Sequence, residues 1–407
     1  MKTIRLFLAA AIIMLASCNP KVDRIIYVDA DASPGGDGRS WGSAYADLQK
    51  ALKDAGKGDE LWVAEGIYHP DGSRGDRKKS FQLKTGVAVY GGFSGSETER
   101  DERNWVSNVT ILSGDLLEND QGNTNIQENS YHVLTGDKTD NTAILDGFLV
   151  TGGNANDTIW PNDGGGGMSN ADGSPTVRNC TFTKNHAFAD GGGIRNWGES
   201  TPRITDCIFR DNRAAQEGGG IMNGPDSRAN ITNCQFIHNF AGEDGGGMYN
   251  NESHPLVVNC IFYRNSAALT GGGMYNVNES KPAVVNCSFH ANQAETEGGG
   301  IYNNTGIPIL TNCILWGNQA PEKPEISGTD PVVTYSNIQG DFPGEGNMRI
   351  DPDFADDQLR LSAGSTCIDA GDNAAVPEHV TTDLDHHPRI TNGRVDMGAF
   401  EYGSGPG

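Results

Sequence analysis

Six cysteines, Cys180, Cys207, Cys234, Cys260, Cys287 and Cys313, follow one another at steps of 27, 27, 26, 27 and 26 residues. Around each stands the same compound pattern. Two residues on comes Phe182, Phe209, Phe236, Phe262, Phe289 and then Leu315. Three further comes Asn185, Asn212, Asn239, Asn265, Asn292 and Asn318, with an alanine two residues later each time. A glycine triplet keeps the same beat, beginning at Gly165, Gly191, Gly218, Gly245, Gly271 and Gly298, always followed by Ile or Met, one variable residue and Asn. A fixed period decides fold before any local propensity does.

The composition of the unit selects the architecture. Several Gly and Asn per period, with no apolar spacing near 3.6, exclude helical repeats. A leucine framework is also missing. One coil of a parallel β-solenoid remains, with equivalent residues stacked about 4.8 Å apart. Cys234 and Phe236 share the inward face of one strand, whereas Ile231 lies three residues before the cysteine, so the alternation breaks between them. A bend is expected at Asn233, equivalent to Asn179, Asp206, Asn259, Asn286 and Asn312, because Asn and Asp tolerate left-handed angles. Asn239 and its copies are expected to mark a second bend and Gly245 to Gly247 a third.

These signatures are similar to the Phe-x-x-Asn and Gly-Gly-Ala-[Ile/Leu/Val] repeats of chlamydial polymorphic outer-membrane proteins. More broadly, the chain resembles bacterial surface proteins with β-helix repeats in the pectin-lyase-like superfamily. The resemblance implies an all-β, single-stranded right-handed parallel β-helix with an N-terminal helical cap and a C-terminal cap. It is carried by residues 165–320, with less regular coils in 25–164 and closing coils and cap in 321–407. "IYVDADASPGGDGRSWGSAYADLQKAL" and "GDELWVAEGIYH" look like the opening of such proteins, with Tyr45 to Ala55 as an amphipathic helix over the open end. "SNIQG", "DPDF", "CIDAG" and "VDMGAFEY" resemble their closing region.

Residues 1–17 read as a secretory signal, with Lys2, Arg5 and an apolar run from Leu6 to Leu15. Leu15-Ala16-Ser17-Cys18 resembles a lipobox, which makes Cys18 the lipid-bearing residue and 18–24 a tether. The expected address is the bacterial cell envelope, at the outer membrane or cell surface, with the lipid as the membrane contact. Formal charge is −23, and −25 once Lys2 and Arg5 leave with the signal. That argues against nucleic acid as a partner and against an acidic polysaccharide unless cations mediate the contact. The six ladder cysteines are expected as reduced, buried thiols, since stacked parallel side chains hold Cβ atoms farther apart than a disulfide prefers.

Two outward columns are candidate sites. Asp190, Glu217, Asp244 and Glu297, with Thr270 interrupting, precede the glycines and form a row of hard ligands suited to calcium, the one cofactor the chain suggests. Tyr249, Tyr275 and Tyr302 are consecutive in the column after Ile/Met, with Trp197 on the same side and amides at Asn251 and Asn304. Rings and amides together suit a polysaccharide or surface glycan. Lys184, Arg195, His238 and Arg264 are candidate bases, Asp190 with Asp211 a candidate acid pair, and Asp29, Asp31, Asp37 and Asp383, Asp385, His386, His387 candidate metal loops. The expected role is a non-catalytic binding or adhesion module for carbohydrate. Superfamily resemblance supplies the alternative, a polysaccharide lyase or glycoside hydrolase.

Overall fold

The computed structural model describes residues 22–71, 75–122 and 124–403. Cys18 and the signal segment lie outside them. Four parallel sheets of eleven, ten, six and nine strands form a β-solenoid, the six-stranded one confined to the coils from Asn154–Ala155 to Gln293–Ala294. One coil shows the plan. Asn230–Thr232 belongs to the first sheet, Gln235–Ile237 to the second, Phe240–Ala241 to the third and Met248–Asn251 to the fourth. The chain then enters the next coil at Leu256–Val258. Register follows the repeat, with Ile231 over Val257, Phe236 over Phe262 and Tyr249 over Tyr275.

Identical inward letters produce columns of one side chain. The phenylalanine rings from Phe182 to Phe289 stack with centroids 4.4–5.2 Å apart, planes within 11° of parallel. The ladder cysteines are free and fully buried beside them. Between the apolar columns run two amide columns. Asn239 Nδ2 donates to Asn265 Oδ1 at 3.0 Å and to the Phe209 carbonyl at 2.8 Å, while Asn239 Oδ1 accepts from Asn212. Asn170, Asn196, Asn223, Asn250, Asn276 and Asn303 form the second, each Nδ2 donating to the next Oδ1 at 2.8–2.9 Å. The first column closes on Glu325, whose carboxylate accepts from Asn318 and supplies the acceptor that no further asparagine provides. Burial pushes the Glu325 carboxyl up to about 7.

The corners follow the same logic with one displacement. Asn233 is left-handed at φ 53°, as its place between two strands requires. At the second corner the left-handed residue is not Asn239 but the one before it: Lys184, Asp211, His238 and Arg264 have φ of 54–55°. Asn239 points inward because the amide column needs it there. In the glycine triplet only Gly245 is left-handed, at φ 71°. Gly246 and Gly247 serve close approach, since a Cβ there would lie 2.4 Å from the Ser266 carbonyl and 2.5 Å from that of Gly273.

The N-terminal helix is shorter than expected, Leu48–Asp54, with the Asp47 side chain capping Gln49 N at 2.8 Å. Tyr45 is excluded from it because its backbone pairs with Tyr27 and Asp29 like a strand residue. Leu48, Ala51 and Leu52 are buried over the end of the core. Residues 350–402 lie along the flank of the later coils. Asn259, Asn286 and Asn312, at the first corner, donate to the carbonyls of Thr382, Asp396 and Asp372 at 2.8–3.0 Å. Ile261 packs against Leu359, Leu384, Ala399 and Phe400.

Replacing Asn239 by alanine strands the Asn212 donors and the Phe209 carbonyl inside the coil. At about 1–3 kcal/mol per stranded group, a loss of roughly 3 kcal/mol or more is expected in urea denaturation. Gln235→Ala, half-buried on the outer face, is expected to cost under about 1 kcal/mol; equal losses would contradict the assignment.

Candidate functional site

The fourth sheet and the corner leading into it carry the two expected columns. Register places Ser169, Arg195, Met222, Tyr249, Tyr275 and Tyr302 in one line. Two residues along each strand, Trp197, Asn251, Val277 and Asn304 occupy a second line on the same face, with Gly224 following the strand between Trp197 and Asn251. The tyrosine rings stack at 5.0 and 5.5 Å with planes within 12° of parallel. Tyr249 and Tyr275 are only 6% exposed, clustered with Met222 and Val277. Their faces are therefore covered by one another, which leaves edges and hydroxyls outward. Burial first, then the Glu217 carboxylate, raises the Tyr249 hydroxyl above its ordinary range.

Trp197 is different. It is 36% exposed, and its ring lies against Gly224, where a Cβ would meet it at 2.7 Å. The Arg195 guanidinium sits 4.9 Å from the ring centroid. Asn304 Nδ2 donates to the Tyr275 hydroxyl at 3.1 Å, and Asn251 Oδ1 accepts from Asn278. The amides are thus oriented by neighbours on the same face.

In the acid column, Asp190 pairs in register with Glu217. Each carboxylate meets a donor of its own. Arg195 Nε lies 2.9 Å from Asp190 and Nη1 2.7 Å from Asp163. Tyr249 stands beside Glu217, Asp244 accepts from Thr270 N and Oγ1, and Glu297 accepts from Ser327. Burial pushes Asp190 up to about 7 against the opposing pull of Arg195. Burial likewise raises Glu217 and Asp244.

The remaining candidates are scattered by the fold. Lys184, Asp211, His238 and Arg264 occupy the left-handed second corner, away from Asp190, which precedes the fourth sheet. Asp29 and Asp37 accept backbone N–H groups within their own turn. Asp383 is buried and accepts from the backbone of Asp385, His387 and Glu401, while Asp385 holds Arg360 in a bidentate pair at 2.6 and 2.9 Å. "DLDHH" therefore knots the flanking segment, and His386 reaches Asp206 at 3.7 Å.

Among the described residues, three acids that could share a cation meet elsewhere, at Asp115, Asp120 and Glu128. The sequence signal was the Asp-, Asn- and Gly-rich "DLLENDQGNTNIQEN", whose acids have no regular spacing.

The raised Asp190 carboxyl has a consequence for stability. Its folded value near 7 lies above the unfolded 3.8, so the native state holds the extra proton between those values and this group's contribution declines as pH rises from 4 to 7. Roughly 3 pH units at about 1.4 kcal/mol each set a ceiling near 4 kcal/mol. Denaturation of wild type and Asp190→Asn across pH 4–8 is expected to show a flatter curve in the variant, and parallel curves would contradict it.

Residues 146–328 match the family model described as right handed beta helix region. Among solved structures, pectate lyase Pel9A is similar at TM-score 0.53 and 13% identity, covering 93% of this chain and 96% of that one. A rhamnogalacturonan lyase aligns at TM-score 0.38 and 11% identity, over 82% of this chain and 91% of the other. No curated protein matches the chain. The four-sheet architecture and the likeness to Pel9A together show a right-handed parallel β-helix fold.

Proposed function

We propose that this chain is a cell-envelope lipoprotein that binds carbohydrate along the fourth sheet without turning it over. The observation that carries the reading is Trp197, 36% exposed beside Gly224 and Arg195, on the face where later coils present the edges of Tyr249, Tyr275 and Tyr302 and the amides of Asn251 and Asn304. An indole face accepts the apolar side of a sugar, while amides and phenolic hydroxyls meet its hydroxyl groups. These groups are held by bonds within the face, so little ordering is required on binding. Their repetition, one coil per step of about 4.8 Å, favours a polymer lying along the solenoid axis. Leu15-Ala16-Ser17-Cys18 supports lipid anchoring in the envelope, at the outer membrane or cell surface. The strongly acidic chain favours neutral glycans, or acidic ones bridged by cations.

A second reading, a polysaccharide lyase or glycoside hydrolase, is favoured by Asp190. A buried carboxyl near 7, in register with Glu217, has the proton affinity of a general acid. Affinity electrophoresis on neutral and acidic polysaccharides separates the two. Trp197→Ala is expected to weaken retention about tenfold, or ~1.4 kcal/mol, with no oligosaccharide released by either protein. Unchanged retention would remove the binding strip, and release of unsaturated or reducing ends would establish the enzyme instead.

A further inference from the structure

We infer that Asp115, Asp120, Glu128 and Asn129 hold a single calcium ion, through the three carboxylates and the amide oxygen of the asparagine. One oxygen from each acid lies within 4.8 Å of the others. Calcium takes six to eight oxygen ligands at about 2.3–2.6 Å in flexible geometry, which suits acids gathered by an irregular loop, whereas magnesium demands a near-ideal octahedron at about 2.1 Å.

Asn129 supplies the independent observation. It is 1% exposed, and its Nδ2 donates to Asp120 Oδ2 at 2.9 Å, which places the amide against the cluster. Its Oδ1 is buried and lacks a hydrogen-bond donor, as do Asp120 Oδ1 and Glu128 Oε1. Three neighbouring acceptors without a donor are costly in a folded chain. A cation satisfies all three at once. All four ligand groups are oxygen donors, which selects a hard ion over zinc or copper.

The charge balance agrees. Arg77 is the cation facing this loop, and its guanidinium donates to the Asn129 carbonyl at 2.6 Å, the Asn154 carbonyl at 3.1 Å and Asn156 Oδ1 at 2.6 Å. These donors go to neutral oxygens, so the three carboxylates are drawn together without an ion pair among the described residues and carry a net negative charge that a cation would offset. Asp115 also accepts Asn119 N and Asp120 N, so it folds the loop around the position it would ligate. The site is separate from the acid column of the fourth sheet and independent of the carbohydrate reading.

Isothermal titration of the chelator-stripped full chain with calcium chloride tests this, alongside thermal unfolding. One equivalent is expected to bind and to raise Tm. Asp120→Asn and Glu128→Gln are each expected to weaken binding at least tenfold, while Asp244→Asn binds as wild type. Glu128→Gln, at a half-buried loop position, carries the comparison if Asp120→Asn loses the wild-type circular dichroism spectrum. Absence of binding to wild type, unchanged affinity in Glu128→Gln, loss in Asp244→Asn, or equal affinity for magnesium would each overturn the assignment.

Discussion

A buried amide must be satisfied on every side, and here its partners are its own copies one coil away and a backbone carbonyl of the preceding coil. Asn239 bridges Asn212, Asn265 and the Phe209 carbonyl simultaneously. Such an arrangement tolerates neither a slipped register nor a missing neighbour, because either leaves several polar groups stranded in an apolar interior. The stacked phenylalanines are fully buried among the apolar core residues but would accept a small slip. The amides would not. The two columns therefore specify the register, and the aromatic column supplies much of the hydrophobic stabilisation.

Everything on the surface inherits that spacing. With inward letters fixed, the outward ones form lines one coil apart: tyrosine on tyrosine, carboxylate beside carboxylate. The acids raise the question of repulsion, and the fold answers it locally, with Arg195 between Asp190 and Asp163, Tyr249 beside Glu217, Thr270 on Asp244 and Ser327 on Glu297. Function on this scaffold thus concentrates where the repeat lapses. Gly224 in place of a larger side chain exposes Trp197, and the non-repeating loop 114–130 collects three acids.

The coils were legible because their signal recurs and each copy corroborates the others. Asn233 as a left-handed corner follows from the broken alternation between Ile231 and Cys234. The second corner was misplaced by one residue because Asn239 has corner chemistry and ladder chemistry alike, and the ladder takes precedence. Tyr249 and Tyr275 were assigned to the outer face correctly, but sequence spacing does not reveal that stacking would cover their faces. The flanking segment left a trace in "LVVNCIFY", where Val258 and Ile261 are apolar on the side that should meet water; both are buried by residues 350–402. The acids at 115, 120 and 128 gave no such trace, since their meeting depends on how one irregular loop folds.

Pulsed electron paramagnetic resonance tests the stacking itself. Arg203, Ile309 and Val332 are exposed on the outer face of the first sheet and stand in one column, Ile309 four coils and Val332 five coils from Arg203. The native cysteines of the coils are fully buried, so labels attach at introduced cysteines. At about 4.8 Å per coil, spin labels at Arg203→Cys paired with Ile309→Cys should lie roughly 19 Å apart, and with Val332→Cys roughly 24 Å. Distances that do not lengthen by about one strand spacing from the first pair to the second would contradict the register on which the whole account rests.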